Sequence, residues 1–414
     1  MNKRKKYVRR RHEFFAKSAR ILFGWLLRLK LGYRGKRVRL HKQYKPYLFI
    51  SNHVSAFDPI LSTLTMGEQI YYLASEHIFS KGFTSRLLEY TYAPIPKSKS
   101  QIDIAAIRQI ITVSQEGGNV GIYIEGNSTM TGNVSSVPAA IGKLALLLKR
   151  PIVIFNFDVG YLKNPRWSIS KRKGTFKGAV KEVLSYEDYK DKDEQVLSDY
   201  LINAISVNAY EQNKHQTFPG KNNARGLERL IFTCPACNGV NTLLTKGNNY
   251  SCTACLFTMH YDAKGYLHSE KFSAPKTTIA LDKENKLRYQ ELWLKNKEMQ
   301  VTAHATYSDL SQRRRKKRGV VHVTFNKAGL HFAFTNKQAP IFFRIDEINM
   351  IAMAQKENVI VYLNNGATKL LQLSRQTKAS AYQFVVTFQI VTNILKYEKA
   401  HQKTKRLTPD ALGL

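Results

Sequence analysis

The four cysteines of the chain restrict its fold more than any other feature. They form two Cys-x2-Cys pairs, Cys234 with Cys237 and Cys252 with Cys255, which are separated by 14 residues rich in glycine and asparagine. Four thiolates at this spacing can close around one Zn²⁺ as a tetrahedron that leaves no coordination position open. The pattern therefore predicts a structural zinc site on a small hairpin. A pair of disulfide bonds is the alternative, which a reducing compartment disfavours.

A histidine and an aspartate follow an apolar segment near the N-terminus. Residues 47–50 are predicted to form a buried strand, and Asn52, His53 and Asp58 come directly after it. At this spacing the Asp58 carboxylate can accept the Nδ1 proton of His53, which leaves Nε2 to take a proton from a substrate hydroxyl. His53 and Asp58 are therefore candidate catalytic residues.

The His-x4-Asp spacing is not specific by itself. His304 and Asp309 repeat it, but neither a leading asparagine nor a comparably apolar strand precedes them. We interpret His304 as an ordinary surface or strand residue. For His53 the alternative is a turn in which the ring is merely packed. Motifs further along the chain decide between these interpretations.

Two downstream segments extend the pattern in order. Residues 119–124 are apolar or small and lead into Glu125 and Gly126, where a glycine lets backbone N–H groups approach an anion. A predicted helix over 138–148 is followed by a proline-led apolar strand at 151–155. Asn-His-x4-Asp, Glu-Gly and the proline-led strand, in this order, resemble the motifs of the glycerolipid acyltransferases, the lysophosphatidate acyltransferase family.

The resemblance covers roughly half of the chain and implies a membrane-associated O-acyltransferase of phospholipid synthesis. It implies that His53 acts as general base on the acceptor hydroxyl, which attacks the acyl thioester directly, and that Asp58 orients the ring. Backbone donors near Gly126 and the Lys99 ammonium would bind the phosphate of the acceptor, and Glu125 would order that loop. The substrate-binding residues that the resemblance implies are Asn52, Lys97, Lys99, Glu125, Gly126, Asn127 and Ser128.

Two positions depart from the family pattern. The family has an arginine in a Gly-x-Ile-x-x-x-Arg segment and another after Glu-Gly, and Lys99 and Ser128 stand in these places here. Lysine can hold a phosphate as a point charge but lacks the bidentate fork of a guanidinium. Lysophosphatidate is therefore the default acceptor, and another lysophospholipid or glycerolipid would fit the weaker phosphate site. Acyl carrier protein and CoA thioesters both stay open as acyl donors.

The chain is strongly basic, and the charge is concentrated. It carries 65 Lys and Arg against 30 Asp and Glu, a formal net charge of +35, and residues 1–50 hold 17 Lys or Arg against one acid, Glu13. Such an excess favours phosphate-bearing or acidic partners: an anionic phospholipid membrane, nucleic acid or an acidic carrier protein. The run of six cations at 313–318 is expected to be a solvated loop, with anionic lipid as its first partner and nucleic acid as its second.

Apolar residues between Phe14 and Leu31 recur at mixed helical spacing among basic ones. An apolar stripe with a tryptophan and basic flanks is typical of a helix in a membrane interface. The alternative is a helix docked on the core of its own domain. No apolar run is long enough for a transmembrane span, and no cleavage site indicates a signal peptide. We therefore expect a peripheral or monotopic protein at the cytoplasmic face of the cell membrane.

The predicted fold class is α/β, followed by a small zinc ribbon and a β-rich domain that a helix closes. In the N-terminal half, short apolar strands alternate with helical patterns, which is typical of a sheet covered on both faces. Beyond the cysteines the sequence alternates as β-structure from Val320 and ends in an apolar-striped helix over 380–397. Such strands closed by one helix resemble a PH-like or GRAM-like module, and a purely structural domain is the alternative.

The sequence also predicts the domain boundaries and leaves a second function class open. The predicted domains are a basic amphipathic membrane-associating segment over 1–40, an acyltransferase domain over 41–225, a zinc ribbon over 229–262, a β-rich PH/GRAM-like domain over 270–400 and a flexible tail over 401–414. A zinc-ribbon nucleic-acid-binding protein that uses its basic surface is the other function class. The ordered motifs favour acyl transfer, so nucleic acid is the less favoured partner.

Overall fold

A computed structural model describes residues 6–75, 78–80, 82–97, 104–134, 140–296, 298–311, 314–336 and 338–400. These residues form two compact units. The first comprises the described residues up to Arg166 together with 171–220, and the second comprises 167–170 and 221–400. The predicted tail at 401–414 and the predicted helix start at Pro138 lie outside the described residues.

Strands and helices alternate in the first half of the described chain, and strands predominate in the second half. Its helices are α1 Arg10–Leu31, α2 Asp58–Met66, α3 Phe83–Thr91, α4 Ile104–Gln115, α5 Ile141–Leu148, α6 Gly160–Lys163, α7 Glu194–Ile205, α8 Ala209–Gln212, α9 Thr278–Lys295 and α10 Ala381–Ala400. Its strands are β1 Leu48–Ser51, β2 Ile70–Ser75, β3 Ile95–Lys97, β4 Asn119–Tyr123, β5 Ile152–Phe157, β6 Gly178–Leu184, β7 Leu243–Lys246, β8 Asn249–Cys252, β9 Thr258–Tyr261, β10 Leu267–His268, β11 Val301–Ser311, β12 Arg314–Asn326, β13 Gly329–Phe334, β14 Ile341–Arg344, β15 Ile348–Ala354, β16 Asn358–Leu363 and β17 Thr368–Leu373.

A six-stranded sheet in the order β3-β2-β4-β1-β5-β6 forms the centre of the first unit. β1 lies between β4 and β5 and is parallel to both, whereas β6 runs antiparallel to β5. Every residue of β1 and β4 is buried, as expected for apolar strands in a sheet that helices cover on both faces. The α/β prediction is confirmed. Because the carboxyl ends of parallel strands share one edge of a sheet, the loops after β1 and β4 meet there.

Helix α1 has one docked face and one exposed face. His12 and Ala16 are buried, and His12 Nδ1 lies 3.1 Å from the hydroxyl of Tyr71 in β2. Burial, aided by the positive charge of Arg11, lowers the pKa of His12 to about 4, so the ring packs as a neutral group near pH 7. The docked alternative is correct for this face. The membrane interpretation stays a prediction for the other face, which exposes Phe14, Ile21, Leu22, Trp25 and Leu29.

The second unit contains two antiparallel sheets. The smaller sheet, which includes Cys252, has four strands in the order β10-β9-β8-β7. The larger sheet has seven strands in the order β14-β13-β12-β11-β17-β16-β15. Helix α10 packs on β15 and β16 and buries Phe384, Ile390 and Val391. The prediction of a β-rich region closed by a helix is confirmed, and its likeness to a PH-like or GRAM-like module stays a prediction.

The loop predicted for the six-cation run is wrong for the part that the structure describes. Residues 314–318 belong to β12, and 314–317 pair with 308–311 of β11. Among the described residues, β13 pairs with β12 only from Val321 onward, so the cationic stretch forms an edge of the sheet that this part of the chain builds. Long charged side chains at such an edge discourage another strand from pairing with it. This explains how so basic a segment can be a strand.

Candidate active site

The chain leaves β1 through a residue that is tied to the neighbouring strand β5. Asn52 is buried. Its side-chain amide donates to the Phe157 carbonyl at 2.9 Å and accepts from the Phe157 N–H at 2.8 Å. Because both of its polar ends are engaged by this backbone, the geometry favours a positioning role for Asn52 over the substrate contact that the sequence predicts.

His53 and Asp58 lie together as the sequence predicts. His53 Nδ1 is 2.7 Å from Asp58 Oδ2; Asp58 is fully buried, whereas the His53 side chain is 18% exposed. The N–H groups of Val54 and Ser55 reach the same carboxylate at 2.6 and 2.9 Å, and the Ser55 hydroxyl reaches it at 2.6 Å. A carboxylate can only accept these four hydrogen bonds, so the Nδ1 of His53 carries a proton. The nitrogen left for a substrate is Nε2.

The backbone of His53 is fixed by the loop that follows β4. Its N–H donates to Glu125 Oε1 at 2.8 Å, and its carbonyl accepts from the Thr129 N–H at 2.8 Å. Glu125 is buried at the end of the neighbouring strand. The carboxylate of the Glu-Gly motif therefore connects its own loop to the histidine, and it does so through the histidine backbone.

A tyrosine against the His53 ring is a site residue that sequence reasoning missed. The rings of His53 and Tyr123 are stacked, with centroids 4.6 Å apart and an interplanar angle of 28°. The hydroxyls of Tyr123 and Ser62 are 2.9 Å apart, and Ser62 also lies 2.6 Å from the Tyr72 hydroxyl. Burial raises the pKa of both tyrosines, so they stay neutral. The sequence signal was an aromatic residue shortly before Glu125, but such a residue in an apolar strand is normally interpreted as core.

The predicted acceptor-binding loop follows Glu125 directly. Gly126 has a φ of +65°, a conformation that favours glycine, and a Cβ there would meet no atom within 4 Å. Its N–H donates to the Tyr123 carbonyl at 2.9 Å, so an anion at this loop would be bound by neighbouring donors. The Ser128 carbonyl accepts from Arg166 Nη1 at 3.0 Å. A guanidinium therefore reaches the loop in which Ser128 replaces the arginine of the family motif.

The three other predicted substrate-binding residues are less firmly connected to His53. Asn127 lies in the loop between Gly126 and Ser128. Lys97 is exposed at the carboxyl end of β3, on the same sheet edge as His53, but β2 and β4 lie between β3 and β1. Lys99 lies outside the described residues. The geometry thus brings together the first and third motifs, whereas the lysines of the second remain predictions.

The four cysteine sulfurs converge in the second unit. All four lie within 4.8 Å of one another, and the pairs Cys234–Cys255 and Cys237–Cys252 are 3.7 and 3.8 Å apart. Zn–S bonds of about 2.3 Å would place tetrahedral sulfurs roughly 3.8 Å apart, so the arrangement fits a zinc ion. All four are free thiols, at separations well beyond the roughly 2.05 Å of a disulfide bond. The geometry therefore favours a metal site over the disulfide alternative.

Comparison with protein-family models agrees with the motifs. Residues 34–157, which include His53, Asp58 and Glu125, match a family model described as Acyltransferase. Among solved structures, the chain is similar to the crystal structure of the 1-acyl-sn-glycerophosphate (LPA) acyltransferase, PlsC, from Thermotoga maritima, with 17% identity, coverage of 47% of this chain and 75% of that chain, and a TM-score of 0.35. Comparison with curated protein sequences found no match. The family match confirms the acyltransferase resemblance for the segment that it covers.

Proposed function

We propose, on the premise that residues 34–157 form an acyltransferase domain, that the protein moves an acyl group from acyl carrier protein or a CoA thioester to the hydroxyl of a lysophospholipid. The default acceptor is 1-acylglycerol-3-phosphate. The observation that carries the proposal is the 2.7 Å contact between His53 Nδ1 and the buried Asp58 carboxylate. It leaves one imidazole nitrogen, in a partly exposed ring, for the acceptor.

The reaction needs one proton carrier and no covalent enzyme intermediate. His53 Nε2 takes the proton of the acceptor hydroxyl as its oxygen attacks the thioester carbonyl. The tetrahedral intermediate then expels the thiolate, which takes the proton back from Nε2, so the ester and the free thiol are the products. Asp58 stabilises the transient imidazolium. A cysteine nucleophile is not needed, and all four cysteines of the chain converge at the candidate metal site.

We assign the acceptor phosphate to the loop around Gly126. The open space over Gly126 lies beside the residue that fixes the His53 backbone, Glu125. Lys97 and Lys99 would add positive charge from the second motif, as point charges. Arg166, which donates to the Ser128 carbonyl, would supply the planar guanidinium that this motif lacks. Glu125 would keep the loop in place.

An acceptor and donor panel tests the proposal. Purified protein would be incubated with several lysophospholipids and lysoglycerolipids and with isotopically labelled acyl carrier protein or CoA thioesters, and the products would be identified by mass spectrometry. We expect transfer to at least one phosphate-bearing lysolipid. Absence of transfer to every acceptor, combined with sequence-independent and salt-sensitive nucleic-acid binding, would favour the nucleic-acid-binding alternative instead.

Tyr123→Leu is expected to lower kcat by about 10²-fold with little change in KM, because the imidazole loses the ring that holds its plane. Tyr123→Phe keeps the ring and removes the hydroxyl that bonds Ser62, so it should stay within a few-fold of wild type. Steady-state kinetics on both variants, with denaturant unfolding to monitor stability, measure the effect. Equal kcat values for the two variants would show that the stacking does not position His53.

We also propose that the protein sits at the cytoplasmic face of the cell membrane through the exposed face of α1. No helix in the described part of the chain is long and apolar enough to cross a bilayer. The exposed face of α1 carries Trp25 and four other large apolar residues, and its basic neighbours would each add about 1 kcal/mol near an anionic surface.

Replacing Leu22 and Trp25 with serine is expected to weaken binding to vesicles that contain phosphatidylglycerol by about tenfold or more, because it removes apolar surface that the bilayer would bury. Deleting the first 30 residues is a poorer test, since it would also remove the buried His12 and Ala16. Co-sedimentation measures the effect, and Leu256→Ser, at another highly exposed leucine, is the control. Undiminished vesicle binding of the α1 variant would contradict the proposal.

A further inference from the structure

Three helices of the first unit carry an unusual share of exposed apolar surface. In the described chain, 20 large apolar side chains are exposed, and ten of them lie on α1, on α3 and at the start of α2. The other ten are spread singly or in pairs over nine further segments. Scattered exposed apolar residues are normal, whereas a concentration of them marks an interaction surface. These ten are Phe14, Ile21, Leu22, Trp25, Leu29, Phe57, Ile60, Phe83, Leu87 and Tyr90.

The three helices are packed together. Gly24 of α1 lies against Leu64 of α2, because a Cβ at Gly24 would come within 3.3 Å of the leucine side chain. Arg20 of α1 donates to the carbonyl of Gly67, the C-cap of α2, at 3.2 Å. On the other side, the Arg11 guanidinium lies 4.1 Å from the ring centroid of Tyr90 in α3. α1 therefore contacts both α2 and α3.

Helix α3 is amphipathic with its apolar side outward. Its buried residues are Ser85 and Thr91, whereas Phe83 is 79% exposed and Leu87 and Tyr90 are about half exposed. The three apolar residues recur at i, i+4 and i+7, so they lie on one face of the helix. A helix in water is expected to show the opposite arrangement. The face is therefore available to a covering partner.

The exposed apolar residues also reach the catalytic loop. Phe57 directly precedes Asp58 and forms the N-cap of α2, and Ile60 follows in the first turn. Both are exposed, although Asp58 between them is fully buried. An apolar rim beside His53 is suited to a substrate whose acyl chains stay in a lipid phase.

The charge of the three helices indicates which kind of partner would cover their exposed apolar residues. α1, α2 and α3 together contain seven Lys or Arg, and their acids are Glu13, Glu89 and the buried Asp58. Apolar residues flanked by positive charge match an anionic phospholipid bilayer, which offers an apolar interior beneath phosphate groups. We infer that α3 and the start of α2 extend the membrane-binding face of α1, so that His53 opens beside the surface of an anionic bilayer. This inference rests on the proposed attachment of α1.

A pair of matched double variants tests the inference. Phe83→Ser with Leu87→Ser changes exposed residues of α3 and leaves Ser85 and Thr91 in place; Val196→Ser with Tyr200→Ser changes exposed residues of α7 in the same unit. With mixed phosphatidylcholine and phosphatidylglycerol vesicles, we expect the α3 variant to need about tenfold more lipid for half-maximal binding. The α7 variant should bind like the wild type. Circular dichroism checks that both fold.

Two outcomes would overturn the inference: wild-type vesicle binding by the α3 variant, or equal losses in both variants. A water-soluble short-chain lysolipid separates these failures from a failure of the proposed function. If the function is right, the α3 variant transfers acyl groups to this soluble acceptor as fast as the wild type, whatever its vesicle binding. If the function is wrong, neither protein transfers, although the vesicle result still decides whether α3 contacts the bilayer.

Discussion

His53→Ala is expected to lower acyl transfer by roughly 10²–10⁴-fold, the range that a positioned general base contributes. The variant loses Nε2, the nitrogen that would take the acceptor proton. Its fold should survive, because the bonds of His53 to Glu125 and Thr129 are made by the backbone. Asp58 keeps its three donors from Val54 and Ser55. The measurement is kcat/KM on the best acceptor of the panel, alongside the free energy of unfolding in urea.

His304→Ala is the matched control, because His304 and Asp309 share the His-x4-Asp spacing. Both lie in strand β11, where residues an odd number of positions apart point to opposite faces. Asp309 is bound instead by Arg318 and Lys369. His304→Ala should therefore transfer acyl groups at the wild-type rate. Equal losses in the two variants would mean that His53 is a structural residue and that the catalytic base lies elsewhere.

The contrast between these two histidines shows what the sequence could predict. The contact between His53 and Asp58 is local, since a turn before α2 is enough to form it, and a buried strand in front of the motif is visible as an apolar run. The same spacing inside a strand cannot form the pair. The residues that flank each motif, more than the His-x4-Asp spacing, therefore distinguish the pair that forms a contact from the pair that does not.

The contacts that support the histidine depend on strand order, which the sequence did not reveal. Glu125 reaches the His53 backbone because β4 is the neighbour of β1, and Asn52 reaches Phe157 because β5 lies on the other side. Sequence reasoning placed Glu125 in a phosphate-binding loop but could not assign its partner. It missed Tyr123, because a tyrosine that stacks on the candidate histidine and an ordinary core aromatic look alike in an apolar strand.

Helix α1 shows a second limit of the sequence. Its mixed spacing of apolar and basic residues was compatible with docking on the core and with a membrane interface, and periodicity alone could not choose. The small buried residues decide the docked face, because Ala16 and Gly24 allow close approach. Five of the large apolar residues are left on the exposed face. The positions of the small residues, in addition to polarity, therefore indicate which face of the helix is docked.

Removing the metal is expected to unfold the hairpin around the cysteines. We propose that the metal is Zn²⁺, bound by Cys234, Cys237, Cys252 and Cys255, and that it is structural because four thiolates leave no open position. Zinc binding in small domains supplies roughly 10–16 kcal/mol of folding free energy, so the hairpin should not stay folded once the ion is lost. Elemental analysis should find one zinc per chain, and a chelator should expose residues 229–262 to limited proteolysis.

Cys252→Ser is the sharpest single change, because Cys252 is buried whereas Cys237 is exposed at the same site. We expect this variant to lose the stoichiometric zinc and its resistance to proteolysis in the hairpin. The adjacent Ser251→Ala should keep both, since serine is not among the ligands. Acyl transfer by Cys252→Ser should stay within a few-fold of wild type, because no step of the proposed reaction uses the metal. A chain whose mass corresponds to two disulfides, with no bound metal, would instead establish the alternative pairing.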